Sequence, residues 1–241
     1  MKKRLDSLAY EQGLADSRTK AAALVMAGLI SAEGKVLPKA GQLVDDQTTL
    51  ELKNTPQYVS RAGNKLASAV AELKLNFNNQ TVLDVGASTG GFTDLALQQG
   101  AKQIFAVDVG TGQLAYKLRQ DPRVIVMERT DIRRVQNLPE LVDIALIDVS
   151  FISLTNILDH VTTLIKPDGL IVAMAKPQFE SGKKIADQFK GIIKNETVRN
   201  KVLQDFEKII REDFIILNKA DSKIAGAKGN IERFYVLRVK R

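Results

Sequence analysis

The 241-residue chain contains no cysteine, no tryptophan and only one histidine, His160. Without cysteine there is no disulfide framework and no thiolate chemistry. With a single histidine as well, a zinc cluster has too few of its usual ligands, and no metal is expected. His160 lies in the helix-like run LTNILDHVTTLIK and reads as a helix residue without a chemical role. Long hydrophobic runs are also missing. AAALVMAGLI and GLIVAMA fall far short of the ~20 apolar residues that a membrane span needs. The basic N-terminus MKKRLDSLAYEQG has no apolar stretch behind it, unlike a signal peptide. These absences make a cytoplasmic protein with no membrane partner the expectation. Aromatic residues are scarce at 5%, but 44% of the chain is apolar, enough for a packed core.

Charge is present in excess of one sign. The net charge is +7, and its location is uneven. Residues 1–60 hold 8 basic and 7 acidic side chains, residues 61–182 hold 12 and 13, and residues 183–241 hold 15 and 8. The surplus therefore sits in the C-terminal quarter. A basic surface there suits an anionic partner such as nucleic acid; a solvated lysine-rich helix would show the same composition.

Hydropathy patterning divides the chain. Residues 1–53 read as a small α/β unit. Ser17 opens a helix over SRTKAAALVMAGLI as its N-cap, ISAEGKVL reads as a hairpin turning at Glu33 and Gly34, and TTLEL as a further strand. Asn54, Thr55 and Pro56 break the pattern, so residues 54–60 are expected to be a linker. From residue 61 to 241, strands and helices alternate. TVLDVG, QIFAVDVG, RVIVMER, DIALIDVS and GLIVAMAK are strand-like, with helices at GGFTDLALQQG, LTNILDHVTTLIK and ETVRNKVLQDFEKIIRE. DFIILNK and ERFYVLRV close the chain as a pair joined by a loop, hence antiparallel. The fold class expected is α/β, a mostly parallel sheet covered on both faces.

The strongest local signal is VLDVGASTGGFT, a buried strand running into a Gly-rich turn and a helix. Gly86 and Gly90 allow a tight turn and close approach to a ligand, with Ser88 between them. Asp108, at the end of the next strand, can accept hydrogen bonds from two ribose hydroxyls. A dinucleotide fingerprint needs G-x-G-x-x-G, and here the second glycine is missing. Asp84 inside the motif would serve a pyrophosphate poorly and a cationic methionine end well. The turn resembles motif one of Rossmann-like methyltransferases, which implies S-adenosylmethionine as the cofactor, with Asp131 in RTDIR beside the adenine or, equally, capping its own loop.

Asp148 ends the strand ALID, and Lys176 ends LIVAMAK, both at the mouth where open parallel sheets bind ligands. Glu232 begins the last, antiparallel strand, whose start lies at the same mouth. Lys65 sits beside the apolar stripe Leu66, Ala69, Val70 and Leu73 of an amphipathic helix. This Lys-Asp-Lys-Glu set resembles the tetrad of the FtsJ-like ribose 2′-O-methyltransferases. Residues 4–44 resemble the RNA-binding domain named after ribosomal protein S-four, through Arg4, Leu5, Asp6, Leu14, Ser17, Arg18, Ala21, Gly28, Gly34 and Lys39. That resemblance makes Lys2, Lys3, Arg4, Arg18, Lys20 and Lys39 candidate RNA contacts. YVSRAGNKL, LDVGASTGGFTD, DVSFISL, KPQFE and GNIERF together resemble the TlyA, or haemolysin A, family over the whole chain.

The resemblance implies methylation of a ribose 2′-hydroxyl of ribosomal RNA, on cytidine, by a monomer acting on RNA or a ribosomal subunit. Lys176 is the candidate base or oxyanion stabiliser; Lys65 and Glu232 would position the ribose. A membrane-lytic protein and a non-catalytic ribosome-binding factor are the alternatives from other classes. The first is disfavoured by the missing spans, the second by the full tetrad. SGKKIADQFKGIIKN reads as a variable loop without an assigned role.

Overall fold

The computed structural model describes residues 1–53, 57–226 and 228–240, without the side chains of residues 183 and 184. The turn expected at Asn54 to Pro56 lies outside the described residues. The chain forms two compact units, Met1–Gln57 and Tyr58–Arg241. Tyr58 to Ser60, expected in a linker, belong to the second unit: Tyr58 is buried in its core and the Val59 N–H donates to the Asp94 carboxylate at 2.8 Å.

In the first unit β1 (Lys2–Arg4) leads into α1 (Leu5–Glu11) and α2 (Arg18–Met26), followed by β2 (Ile30–Ala32), β3 (Lys35–Val36), β4 (Leu43–Asp45) and β5 (Glu51–Leu52). The Ser17 hydroxyl caps α2 by accepting from the Lys20 N–H at 3.2 Å. Leu5, Leu8, Ala9, Ala21 and Val25 pack the two helices over Ile30 and Leu50. Glu33 and Gly34 take φ of 50° and 74°, the positive pair that a two-residue hairpin turn requires. β2 pairs antiparallel with β3 and β5, and β1 with β4. The β1–β4 pair was not expected. Three-residue strands, exposed along most of their length, carry too little alternation to show a period.

The second unit runs α3 (Arg61–Leu73), β6 (Thr81–Val85), α4 (Gly91–Gln98), β7 (Gln103–Val107), α5 (Tyr116–Arg119), β8 (Val124–Met127), β9 (Val142–Ile147), α6 (Leu158–Thr162), β10 (Ile165–Ala175), α7 (Pro177–Glu180), α8 (Gly182–Gln188), α9 (Glu196–Ile210), β11 (Phe214–Asp221) and β12 (Arg233–Val239). Its seven-stranded sheet has the order β11-β12-β10-β9-β6-β7-β8. β10, β9, β6, β7 and β8 are parallel; β12 lies antiparallel between β10 and β11. Strand residues alternate between two cores, as a period of two demands. Val82, Ile104, Ile144 and Val172 face Leu66, Ala69, Phe92 and Leu95 of α3 and α4. Leu83, Phe105, Ala145 and Ile171 face Leu158, Val161, Leu203 and Phe206 of α6 and α9.

From β6 the chain steps outward through β7 and β8, then returns to β9 on the other side of β6. The connections leaving the carboxyl ends of β6 and β9 therefore run to opposite sides, a topological switch point, the place where such sheets open a crevice.

Two expectations need correction. LTNILDHVTTLIK is helical only over Leu158–Thr162, after a 3₁₀ turn at Leu154–Asn156. The Thr162 and Thr163 hydroxyls donate to the Asp159 and His160 carbonyls, and Ile165 is already paired with Val142 in the sheet. The segment expected as a variable loop contains α8, a seven-residue helix. The His160 ring lies 2.9 Å from the Val135 carbonyl oxygen, a structural contact.

Candidate active site

The Gly-rich loop after β6 is drawn in from both sides. The N–H groups of Gly86 and Ala87 donate to the Val107 carbonyl at 2.9 and 3.1 Å. Gly86 has φ +83°, and a Cβ there would stand 2.6 Å from the Asp148 carbonyl oxygen, so the closeness of the β6 and β9 ends requires glycine. Gly90 has φ +93°, and the Leu114 and Leu118 side chains fill the space a Cβ would need. Asp108 brackets the opening: its carboxylate accepts from the Ser88 and Gly110 N–H groups, both at 2.7 Å. Asp131 accepts from the Arg133 N–H at 3.0 Å and pairs with its guanidinium, which holds the carboxyl down at about 2. It is thus a capping residue that also borders the crevice.

Asp84 is deeply buried. One carboxylate oxygen accepts from the Thr93 N–H at 3.0 Å and the Thr93 hydroxyl at 2.6 Å; the other has no partner among the described residues. Burial pushes its carboxyl up to about 7, the Thr93 hydrogen bonds oppose this, and the charges of Asp148 and Asp108 add to it.

Three cavities converge at the switch point. One of about 420 Å³ is lined by Gly86, Ser88, Asp108 and Asp131. A second of about 440 Å³ is lined by Ser60, Asp84, Gly86 and Lys176. The largest, about 890 Å³, is lined by Lys65, Lys176, Phe179, Lys190, Lys228 and Glu232. Asp148 and Ser150 border all three. The residues fit S-adenosylmethionine by their chemistry. Three carboxylates around a glycine loop repel a pyrophosphate but suit a sulfonium and an ammonium. The orphaned Asp84 oxygen is an acceptor waiting for a donor, and Asp108 stands at a strand end where a ribose diol can be held.

Lys65, Asp148, Lys176 and Glu232 all line the largest cavity, as two ion pairs. Lys65 reaches it from the second turn of α3, and its ammonium donates to Glu232 at 3.0 Å. Lys176 lies 2.6 Å from the Asp148 carboxylate, too obliquely for a hydrogen bond, and donates to the Ser150 hydroxyl at 2.8 Å. Both pairs are largely shielded from water. The second Glu232 oxygen is buried and has no hydrogen-bond partner among the described residues.

Four neighbours were not singled out from sequence. Ser150 grips Lys176. Phe151 stands at the mouth 92% exposed. Gly226 leaves room for Glu232, since a Cβ there would come within 2.5 Å of its carboxylate. Asn230 is buried and bonds Ile193 N–H and the Gly191 carbonyl, tying the segment after α8 to the start of β12. Ser150 and Phe151 lie inside the quoted DVSFISL, where an exposed-type residue straight after a buried strand was the available signal.

In the first unit most candidate RNA contacts are already engaged. Lys3 pairs with Glu11 at 2.6 Å and Lys20 with Asp16 at 2.7 Å. Arg4 and Arg18 converge on buried Asp6, at 2.7 and 3.5 Å. Among the described residues no hydrogen bond or ion pair is formed by the Lys2 or Lys39 side chains. Asp6 therefore organises Arg4 and Arg18 into one exposed guanidinium pair.

The model of one family, FtsJ-like methyltransferase, matches residues 58–240. The chain is 44% identical to "Putative rRNA methyltransferase YqxC" of Bacillus subtilis, over 96% of this chain and 84% of that protein. It is 36% identical to "16S/23S rRNA (cytidine-2'-O)-methyltransferase TlyA" of Mycobacterium tuberculosis, over 98% of this chain and 90% of that protein. The solved structure "Putative hemolysin from Streptococcus thermophilus" is 42% identical, covers 99% of this chain and 89% of that one, and superposes with a TM-score of 0.74.

Proposed function

The chain belongs to the FtsJ-like methyltransferases, and on that premise we propose that it methylates a cytidine ribose 2′-hydroxyl in ribosomal RNA, using Lys65, Asp148, Lys176 and Glu232. The observation that carries this reading is the pair of shielded Lys–carboxylate contacts lining one wide cavity, beside two smaller cavities fit for the donor. S-adenosylmethionine, the methyl donor this family implies, supplies an electrophilic sulfonium methyl when bound; Asp84, the Gly86–Gly90 loop and Asp108 are the residues to hold it, with Asp131 at the rim.

A ribose hydroxyl is a weak nucleophile, so the protein's task is alignment and management of one proton. Lys176 has one N–H committed to Ser150 and its position fixed by Asp148. As the neutral amine, its nitrogen is placed to take up the hydroxyl proton; as the ammonium, it would instead stabilise the oxygen while that proton leaves to water. The unpartnered Glu232 oxygen can accept from another ribose hydroxyl, while Lys65 keeps that carboxylate fixed. Exposed Phe151 offers a ring face on which a base can stack. Lys190 and Lys228, on the outer wall of the cavity, make no ion pair among the described residues and suit strand phosphates. No step calls for a metal. Residues 1–53 would dock the RNA through Lys2, Lys3, Arg4, Arg18, Lys20 and Lys39, in a protein acting as a monomer in the cytoplasm.

The test is transfer of labelled methyl from S-adenosylmethionine to ribosomal RNA, with ribose-methyl mapping on RNA from cells with and without the protein. A site that appears only with the protein, and disappears with Lys176→Ala, is the expected result. Label found on a base, or label unchanged in the variant, would refute the assignment. The haemolysin reading draws only on a relative's name; among the described residues no helix is long and apolar enough to cross a membrane.

A further inference from the structure

The six residues from Asp148 to Ser153 connect β9 to the 3₁₀ turn at Leu154 and form neither helix nor strand. Yet five of them, Asp148 to Ile152, line the smallest cavity, and Asp148 and Ser150 line all three. Displacing this strip would deform the donor side and the acceptor side together. The strip is also unfavourable by itself. Phe151 adopts φ +67°, a region that costs energy for a residue with a bulky side chain, so its surroundings must impose the conformation.

The Asp148 N–H is held by the Val85 carbonyl at 3.0 Å, and Val149 and Ile152 pack on the core; the remaining contacts come from the short stretch Lys176 to Glu180. Lys176 donates to the Ser150 hydroxyl at 2.8 Å. The Phe179 ring sits 5.3 Å from the Phe151 ring, tilted by 49°. The Glu180 carboxylate accepts from the Ser153 hydroxyl at 2.5 Å with one oxygen and from the Leu154 N–H at 3.1 Å with the other. Glu180 has no cationic partner among the described residues, so both of its oxygens serve the strip. Its burial disfavours the charged form, and these two donors are what offset that.

We propose that Glu180 is a positioning residue: its carboxylate pins Ser153 and Leu154 and thereby fixes the Asp148–Ile152 strip as the shared wall of the donor and acceptor cavities. It touches no reacting atom and acts through the strip. The activity arm of its test rests on the function proposed above; the other arms do not.

Glu180→Ala and Glu180→Gln separate the cases. Glutamine keeps one acceptor for the Leu154 N–H and can donate to the Ser153 oxygen, so it should substitute. Three measurements are made well below the unfolding midpoint of each variant. Hydrogen exchange of the Leu154 amide should accelerate at least about tenfold in the alanine variant, since its acceptor is gone, and stay within about threefold in the glutamine variant. Titration calorimetry should show S-adenosylmethionine bound about tenfold more weakly by the alanine variant. Methyl transfer should fall on the order of a hundredfold in kcat, more than KM rises, because alignment is what is lost.

Should the alanine variant fail to fold, Ser153→Ala removes one of the two bonds from the other side and should shift exchange and donor affinity in the same direction. Wild-type exchange and donor affinity in a folded Glu180→Ala would overturn the proposal. So would a glutamine variant as damaged as the alanine one. If the wild type itself transfers no methyl group to ribosomal RNA, the proposed function fails, while exchange and donor affinity still decide the role of Glu180.

Discussion

Asp84→Asn should make the donor-free protein more stable and the donor site worse. The Asp84 carboxyl is displaced from 3.8 to about 7 by burial, opposed by its two Thr93 hydrogen bonds, with Asp148 and Asp108 adding to the rise. A displacement of roughly three units is worth about 4 kcal/mol between the two protonation states. The sign follows from linkage. The folded-state value lies above the unfolded one, so the fold favours the protonated form. That contribution is fully present below about pH 4 and is lost as pH rises through about 7. At pH 8 the wild type therefore holds an ionised carboxylate at a cost of about 4 kcal/mol that asparagine does not incur. Asparagine keeps an acceptor for the Thr93 N–H and hydroxyl, and its NH₂ replaces the oxygen that has no partner.

The assay is thermal unfolding of both proteins without donor, from pH 5 to 8. The wild type should lose about 3 kcal/mol relative to the variant over that interval, because every other titrating group is common to both. Burying that NH₂ without an acceptor costs about 1–3 kcal/mol, so at pH 8 the variant's midpoint should stand higher by on the order of 2–12 °C, given about 2–4 °C per kcal/mol for a unit of this size. In calorimetry, wild-type affinity for S-adenosylmethionine should weaken as pH falls below 7, whereas the variant should bind weakly at every pH. Parallel pH dependences of stability, or undiminished affinity in the variant, would refute the reasoning.

Lys65→Ala should destabilise the second unit by about 3–5 kcal/mol, because it strands the buried Glu232 carboxylate; adding Glu232→Gln should restore most of the stability but no methylation. A single variant that unfolds like the wild type would remove the pairing from consideration. Asp108→Ala should weaken S-adenosylmethionine binding by about 1–3 kcal/mol, the scale of hydrogen bonds lost to a charged acceptor, and calorimetry with unchanged affinity would take Asp108 out of the site. A chain beginning at Tyr58 should bind donor normally yet lose affinity for ribosomal RNA, and full-length binding should fall steeply with added salt. Equal methylation of ribosomes by the shortened and full-length proteins would remove the docking role from residues 1–57.

Much of the molecule was legible because its signals are local. TVLDV and DIALI are predominantly apolar runs and became buried parallel strands; Leu66, Ala69 and Leu73 recur at helical spacing and became the buried face of α3. Gly86 reads as a turn from its neighbours alone. Asp148 and Lys176 could be placed at strand ends, and a parallel sheet gathers those ends at one mouth whatever the strand order. Elements without a period, such as the β1–β4 pair and α5, carried no such signal, and the helix expected through Lys166 stopped early because Ile165 had a sheet partner.

Which charge meets which was decided by tertiary structure. Lys65 and Glu232 are 167 residues apart, and they meet because β12 inserts antiparallel beside β10 while α3 packs near its start. The unpartnered Asp84 oxygen, the close approach of Gly226 to the Glu232 carboxylate and the hold of Glu180 on the Phe151 strip likewise depend on non-local approach. A sequence pattern records how each residue's own segment meets water and apolar surroundings. It does not record the partners that strand order and register bring within 3 Å, and the energy of a buried charge is set almost wholly by those partners.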